Sequence, residues 1–545
     1  MMRVLASGLV GLGFALLAQS CAQGHASPAP GVSDETFDAG EGGARSDGGP
    51  PAAGNFALEP LPGQVQVAHG ASVKVTVRVK RVDAAPQAIE VTTHGWRDGI
   101  TSKPLTISGD SGDLEIAVPT GALTGAATGF IDANGGGHSA STALSLSVGG
   151  KPGEIDTSFG TNGSVGQLFG PSGGGARVAA MLLRPDDSFF VVGSCYSTSA
   201  ACVVHLTAAG VIDPTYGSSG VARLGFSPNA AAFQPDGKIV VVGGSGLDQG
   251  YAGRLDAAGQ PDATFGSGAA GAGIVHLTTG GNNGQNNGAF AVAVRYDGDI
   301  YIAWDNLDGA AMKNGSMRLA PDGTLRTAYG PGGTTRSLLG LTTAIAVRNN
   351  PASASKGNLF TAVAGGRYAP NSFSVVQVDG NTAGVDPKFT PYAKTVMLPN
   401  ADRVGGGLGL VELADESIIT AVDYGFTHSV YLRKCNAAGD GVASFGAQGI
   451  AGPFPCGGIP GGIAVQADGK ILVALSAADP GGNTLKGQDA LRFLPTGTLD
   501  PDFAPNGHPL NPLGSGQKVV VQKSGRIVIG GEIGASDTLI AGYWP

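Results

Sequence analysis

Seven copies of one short phrase, spread over residues 155–545, constrain this chain more than any other feature. The phrase is an apolar-x-apolar run, a turn of the Pro-Asp-Gly-Lys type and a run of β-branched residues. Phe233-Gln-Pro-Asp-Gly-Lys-Ile239-Val-Val-Val and Ile463-Ala-Val-Gln-Ala-Asp-Gly-Lys-Ile471-Leu-Val are its clearest copies. The turns centre on Asp186, Asp236, Asp297, Lys356, Asp415, Asp468 and Ser524, at spacings of 50, 61, 59, 59, 53 and 56 residues. A second phrase, Asp-x-x-Phe/Tyr-Gly with some drift, places Phe159, Tyr216, Phe265, Tyr329, Phe389, Phe445 and Phe503 at spacings of 57, 49, 64, 60, 56 and 58. Two markers with the same count and period indicate internal repetition, the signature of a propeller or solenoid.

Each unit can be assembled from its parts. Asp-Gly between alternating apolar runs is a hairpin signal, because Gly accepts the positive φ of a tight turn. Ile463–Gln466 and Lys470–Leu475 are therefore predicted to pair. A third strand follows, at Ala490–Leu494, Tyr251–Leu255 and Ser316–Leu319, and ends in a second turn such as Pro321-Asp-Gly323 or Pro495-Thr-Gly497. A last strand, such as Val165–Phe169 or Ile274–Leu277, completes the unit. Four short strands in about 56 residues is the content of a propeller blade. The array begins with the second phrase at Ile155-Asp-Thr-Ser-Phe159-Gly and stops at Tyr543-Trp544-Pro545, where the next copy is due. Docking 155–169 onto 517–544 would close a seven-bladed ring and remove its exposed edges.

These units resemble the delta-60 repeat, found mostly in predicted surface proteins of myxobacteria and related deltaproteobacteria. The resemblance covers about 155–545. Asp-Gly is kept at Asp236, Asp297, Asp468 and, in the second turn, Asp322; Asp187-Ser, Lys356-Gly and Glu416-Ser depart from it. The family has no assigned catalytic residues, so the resemblance implies none.

Residues 1–21 read as a lipoprotein signal peptide. Met1-Met-Arg3 precedes an apolar stretch, Val4–Ala18, that is short for a membrane span. Leu17-Ala-Gln-Ser20-Cys21 resembles a bacterial lipobox, with Cys21 as the lipidation site; ordinary cleavage nearby, for example after Ala22, is the alternative. Residues 22–54, rich in Gly, Ala, Ser, Pro and Asp, cannot bury a core and are expected to be a disordered tether. In 55–150, Val73-Lys-Val-Thr-Val-Arg-Val79 alternates without a break. Gly63–Val67, Ile89–Thr93, Leu105–Ile107, Leu114–Val118, Ala126–Ile131 and Ala143–Val148 are further candidate strands. About seven short strands resemble an immunoglobulin-like sandwich, with Trp96 either in its core or at a strand edge. The expected class is thus all-β: a small immunoglobulin-like β-sandwich followed by a seven-bladed β-propeller at 151–545.

Gly makes up 93 of 545 residues, far above the usual ~7%, which favours tight turns over helices. The net charge is −9 and no basic cluster occurs, which argues against nucleic acid as a partner. Besides Cys21 there are four cysteines. Cys195 and Cys202 flank a predicted hairpin loop, and Cys435 and Cys456 lie one connection apart. They read as two local disulfides, with buried thiols or a four-cysteine metal site as alternatives.

No catalytic constellation emerges. Sialidase-type Ser-x-Asp-x-Gly-x-Thr-Trp boxes are missing, and three Trp cannot supply the Trp-rich repeat of quinone-dependent dehydrogenases. His205, His276, His428 and His508 form no i, i+2 or i, i+4 pair, so no local metal motif exists. Asp305, Asp308 and Asp423 follow strand ends, but their convergence is not readable from sequence. The Asp-Gly turns could hold structural Ca²⁺, although turn formation explains them without a metal; no cofactor is expected. The expectation is a non-catalytic, exported lipoprotein of the outer membrane or cell surface, or else a periplasmic or secreted one. It would touch the membrane only through its lipid and bind a glycan, peptide or protein. The alternative is a metal-dependent hydrolase or lactonase in the ring's central channel.

Overall fold

The computed structural model describes residues 56–81, 88–169, 177–195, 200–244, 250–266, 273–277, 288–308, 311–336, 341–351, 353, 355–366, 369–384, 389, 396–397, 404–424, 429–456, 458–478, 485–503, 511–533 and 537–545. The leader, Cys21 and the tether at 22–54 lie outside the described residues.

The first part of the described chain is a two-sheet sandwich. Alternation explains it: Val75, Val77 and Val79 are buried, while Lys74, Arg78 and Lys80 face water. Ser72–Arg81 pairs with Phe56–Leu61 on one side and Ser111–Ala117 on the other, with Thr101–Ser102 at the edge. The second sheet runs Gln64–Ala68, His138–Gly149, Gly125–Gly135, Ile89–His94, Leu105–Ile107, and its first pair is parallel. Ile89, Val91, Ile131, Leu144 and Leu146 meet Val75, Val77, Leu114 and Ile116 in one core. Phe56–Leu61 and Thr101–Ser102 are strands that the sequence reading missed, since neither shows a sustained alternation. Trp96 packs on the rim of this core, its indole lying where a side chain at Gly129 would stand.

Among the described residues seven further sheets follow. The second of them, from inside to outside, is Ser227–Phe233, Ile239–Gly244, Gly250–Leu255 and Ile274–Leu277, an antiparallel meander set by the Asp236-Gly237 turn. The innermost strands are Val178–Leu183, Ser227–Phe233, Gly288–Val294, Leu341–Val347, Val404–Glu412, Gly458–Val465 and Lys518–Val521. Each packs against the next, and the last packs against the first, so the succession is closed. This is a β-propeller arrangement. The closing sheet takes three strands from Lys518–Tyr543 and its outermost strand, Ser164–Gly166, from far earlier in the chain, in register Ser164↔Ala541, Val165↔Ile540 and Gly166↔Leu539.

The sheets are stitched in one direction. The Gln234 side-chain amide donates to Gly298 O (2.9 Å) and Pro321 O (3.2 Å) of the next sheet. Gln522 donates at the equivalent places to Asp187 O (2.9 Å) and Ala208 O (2.8 Å). The seven aromatics of the second phrase are all buried. Five of them lie beneath a second-turn glycine of the next sheet: Phe159 under Gly210, Tyr216 under Gly259, Phe265 under Gly323, Phe389 under Gly439 and Phe445 under Gly497.

Cys195 and Cys202 are bridged, with S–S 2.02 Å. Cys435 and Cys456 are buried and unbridged, which corrects the expectation of a second disulfide. The register gives the reason. Pro455 pairs with Ser429 at one end of Ser429–Cys435, while Cys435 stands at the other end, about 20 Å along the strand at ~3.3 Å per residue. A disulfide needs Cα atoms within about 7 Å.

Candidate functional site

The two sequence markers meet in space as one set of ionisable groups. In the second sheet, Lys238 Nζ and Arg254 Nε each lie 3.0 Å from Asp262 Oδ2. Thr264 donates its hydroxyl (2.7 Å) and amide (3.0 Å) to the other oxygen. Burial opposes the charge on Asp262, yet the bonds from Thr264 and Lys238 hold its carboxyl far below the usual range. In the sixth sheet, Lys470 Nζ (3.5 Å) and Arg492 Nε (2.8 Å) serve Asp500, and in the closing sheet Arg526 Nε donates to Asp156 Oδ2 at 2.7 Å. Arg254, Arg492 and Arg526 also cap the rings of Phe265, Phe503 and Phe159, at 4.8, 4.4 and 5.8 Å from the centroids. The Lys of the first phrase and the Asp and aromatic of the second are therefore one structural unit.

The turn carboxylates are also committed. Asp236 and Asp468 accept from the amides of Lys238 (3.2 Å) and Lys470 (3.1 Å), and Asp186 and Asp415 accept from Ser188 (3.1 Å) and Ser417 (3.0 Å). Asp187 and Glu416 occupy the turn-glycine position at φ +65° and +62°, a region costly for a side chain. Both reach the neighbouring sheet. Asp187 accepts from the amide of Lys523 (2.7 Å), and Glu416 accepts from Arg348 Nη1 (2.5 Å) and Ser353 (2.9 Å). The drifted turns thus exchange backbone ease for a link between sheets.

Of the ring histidines, His205 pairs with Asp213 (2.9 Å) and His276 lies against the Tyr251 ring; His428 and His508 are outside the described residues. Asp423 lies on the second strand of the fifth sheet, register partner of Val430. The side chains of Asp305 and Asp308 are likewise outside the described set. Among the described residues, no three His, Cys, Asp or Glu converge as metal ligands. None of their helices is long and apolar enough to cross a membrane.

One cleft and one polar corner stand out among the described residues. Between the sandwich and the closing sheet lies a cleft of about 390 Å³, bordered by Gln66, Ser147, Ser524, Arg526 and Trp544. Trp544 lies flat on Gly149 and Gly150, and a Cβ at Gly150 would fall 2.0 Å from its Cδ1. The Trp544 amide donates to Glu154 O (2.9 Å), and Glu154 meets His69 Nε2 at 2.6 Å. Arg526 in this cleft is spent on Asp156, Ala208 O (3.0 Å) and Ser158 (3.0 Å).

The second place is where the inner strands begin, at the opposite end of Lys518–Val521 from the Ser524 turn. Bulges interrupt the register there between Val178 and Ala180, Pro228 and Ala230, and Ala289 and Ala291. Bulges re-aim side chains and recur beside binding sites. Gln517 Oε1 accepts from Val178 N (2.9 Å) and its amide donates to Glu532 (2.9 Å), while Arg177 Nη1 reaches Asn229 Oδ1 at 3.3 Å. Burial, with Arg177 beside it, lowers the Lys518 pKa to about 8, and burial raises that of Glu532. The sequence reading missed Lys518 because no motif marks it.

A family model described as a domain of unknown function with a β-propeller fold (DUF5122) matches residues 234–265, the stretch from Gln234 through Lys238, Arg254 and Asp262 to Phe265. Comparison with curated proteins gives no significant match. Among solved structures, the chain is similar to a quinoprotein alcohol dehydrogenase-like protein from Bacteroides thetaiotaomicron, at 8% identity and TM-score 0.33 over 81% of this chain and 95% of that one. It is also similar to the aldose sugar dehydrogenase of Streptomyces coelicolor, at 14% identity and TM-score 0.35 over 60% and 97%. The polysaccharide lyase Uly1 is similar at 10% identity and TM-score 0.34, over 69% and 92%.

Proposed function

We propose that this chain is a non-catalytic binding or scaffold module of the cell surface: a seven-bladed ring of delta-60-type repeats, preceded by an immunoglobulin-like module and tethered through a lipidated Cys21. The observation that supports a non-catalytic role is the repeated commitment of ionisable groups. Asp262, Asp500 and Asp156 stand at equivalent positions and hold equivalent cations, so a structural task accounts for all three. An acid kept for catalysis would break the repeat and stand apart. The parallel pairing of Gln64–Ala68 with His138–Gly149 in a two-sheet sandwich favours the immunoglobulin-like reading.

The test is thermal unfolding of the full chain, detergent-solubilised, with Ca²⁺, with EDTA and with a panel of cell-wall and matrix glycans. A native-state ligand raises the midpoint by mass action. A shift with a glycan supports the reading, and a large loss with EDTA overturns it in favour of a metal-dependent site. Cys21→Ser should abolish incorporation of labelled fatty acid; unchanged labelling would sink the anchor.

A further inference from the structure

The inner strands carry a column of small residues on the side that faces the next sheet: Ala180, Ala230, Ala291, Ala344, Gly409 and Gly462, counted back from each first turn. The alanines pack into the clusters shared with the following sheet. The seventh member of the column is Lys518. Val520, two residues on and so on the same side, packs with Met181 and Val191 of the first sheet. The register partner of Lys518 is Gly530, and Met181 Sδ lies 2.5 Å from where a Cβ there would be. A lysine thus stands where six other sheets place a methyl group or nothing.

Among the described residues Lys518 has no hydrogen-bond or ion-pair partner. The charge that acts on it is Arg177, of the same sign. Glu532 is attracted to Arg177 and holds the Gln517 amide, so one positive charge is left over in this corner. Lys518 is half-buried and, among the described residues, no carboxylate meets its ammonium, so the charge is open to an anion from solution. Its place is the end of the ring away from the sandwich, which docks through Trp544 near the Ser524 turn. Three sheets on in the ring order, Phe290 occupies the bulge position equivalent to Asn229 and Gln517, with 43% of its surface exposed. An exposed phenyl ring suits the apolar face of a pyranose, and an uncompensated ammonium suits a carboxylate.

We propose that the Lys518 end of the ring axis binds an acidic sugar, with Lys518 taking the carboxylate, Arg177 adding positive field and Phe290 offering a stacking surface. The proposal rests on the binding-module reading and narrows it to a ligand class.

Isothermal titration of the full chain with trigalacturonic acid, its neutral methyl ester and triglutamate tests it. The acid should bind, the ester at least tenfold more weakly. Lys518→Met should weaken the acid at least tenfold, and Arg177→Gln a few-fold, both with unchanged far-ultraviolet circular dichroism. Lys518→Met keeps most of the length of the side chain and removes an unpaired charge from a half-buried position, so it should fold. Equal binding of acid and ester, or binding indifferent to both substitutions, would overturn the proposal. Triglutamate binding as tightly as the sugar would overturn the sugar class. A neutral glycan that stabilises wild type and Lys518→Met alike would overturn this site while sparing the broader binding role.

Discussion

Arg326 Nη2 donates to Asp299 Oδ1 at 3.0 Å in the third sheet, in the positions where Asp262 and Lys238 meet at 3.0 Å in the second. The two charges have changed places. Arg318 serves Asp299 (2.7 Å) as Arg254 serves Asp262 (3.0 Å), so the third member of the set is unchanged. The repeat therefore preserves an interaction, not the residues that make it.

Arg326→Asp should place a second carboxylate beside the buried Asp299 and cost about 2–3 kcal/mol, less than for a fully buried pair because Arg326 is half exposed. Adding Asp299→Lys rebuilds the second sheet's arrangement of Lys, Arg and Asp. Urea unfolding of both singles and the double should show recovery of most of the loss, since the sites touch and are not additive. A double variant weaker than either single would refute the equivalence.

Gly323→Ala tests the packing of one sheet on the next. A Cβ there would fall 3.0 Å from the Phe265 ring and 2.8 Å from Val275 Cγ2, at φ +88°. Backbone strain and overpacking together should cost about 2–4 kcal/mol. Gly237→Ala is the control: its φ is +84°, but nothing lies within 4 Å of the added carbon. It should cost about 1 kcal/mol, from the backbone alone. The difference should appear in the urea midpoint with an unchanged slope.

These positions show what was legible in the sequence. Asp-Gly turns and a recurring aromatic gave the sheets and their order, because hairpin chemistry is local. The pairing of Ser164–Gly166 with Asp537–Tyr543 was also readable, because a missing strand at one end matched a spare one at the other. The polar set around Asp262 was not, since Lys238 and Asp262 are 24 residues apart and only the sheet brings them together. Cys435 and Cys456 misled for a related reason: nearness in sequence says nothing of which end of a strand each occupies. Lys518 became visible only once the register aligned it with six small residues.

Thiol titration should count the cysteines. In a Cys21→Ser chain, no thiol should react in the native state and two should react after unfolding without reductant, from the buried Cys435 and Cys456. Cys202→Ala should raise the count to three and lower stability by about 2–3 kcal/mol, the loop-closure value for a short loop. Zero thiols after unfolding would restore the second bridge.

Stability should rise and then fall in alkali. Burial lowers the Lys518 pKa to about 8, below its ordinary value near 10.4, with Arg177 adding to the effect. Between these values the unfolded chain binds more protons than the native one, so unfolding becomes harder as pH climbs from about 8 to about 10. Burial pushes Tyr216, Tyr301, Tyr329 and Tyr543 the other way, above the ordinary value near 10. Beyond about pH 10 the unfolded tyrosines ionise while the buried ones keep their protons, and stability should drop. Urea midpoints at pH 7, 9 and 11 should pass through a maximum. In Lys518→Met the rise should vanish and the fall remain. A rise that persists in that variant would mean another group carries it and that Lys518 titrates normally.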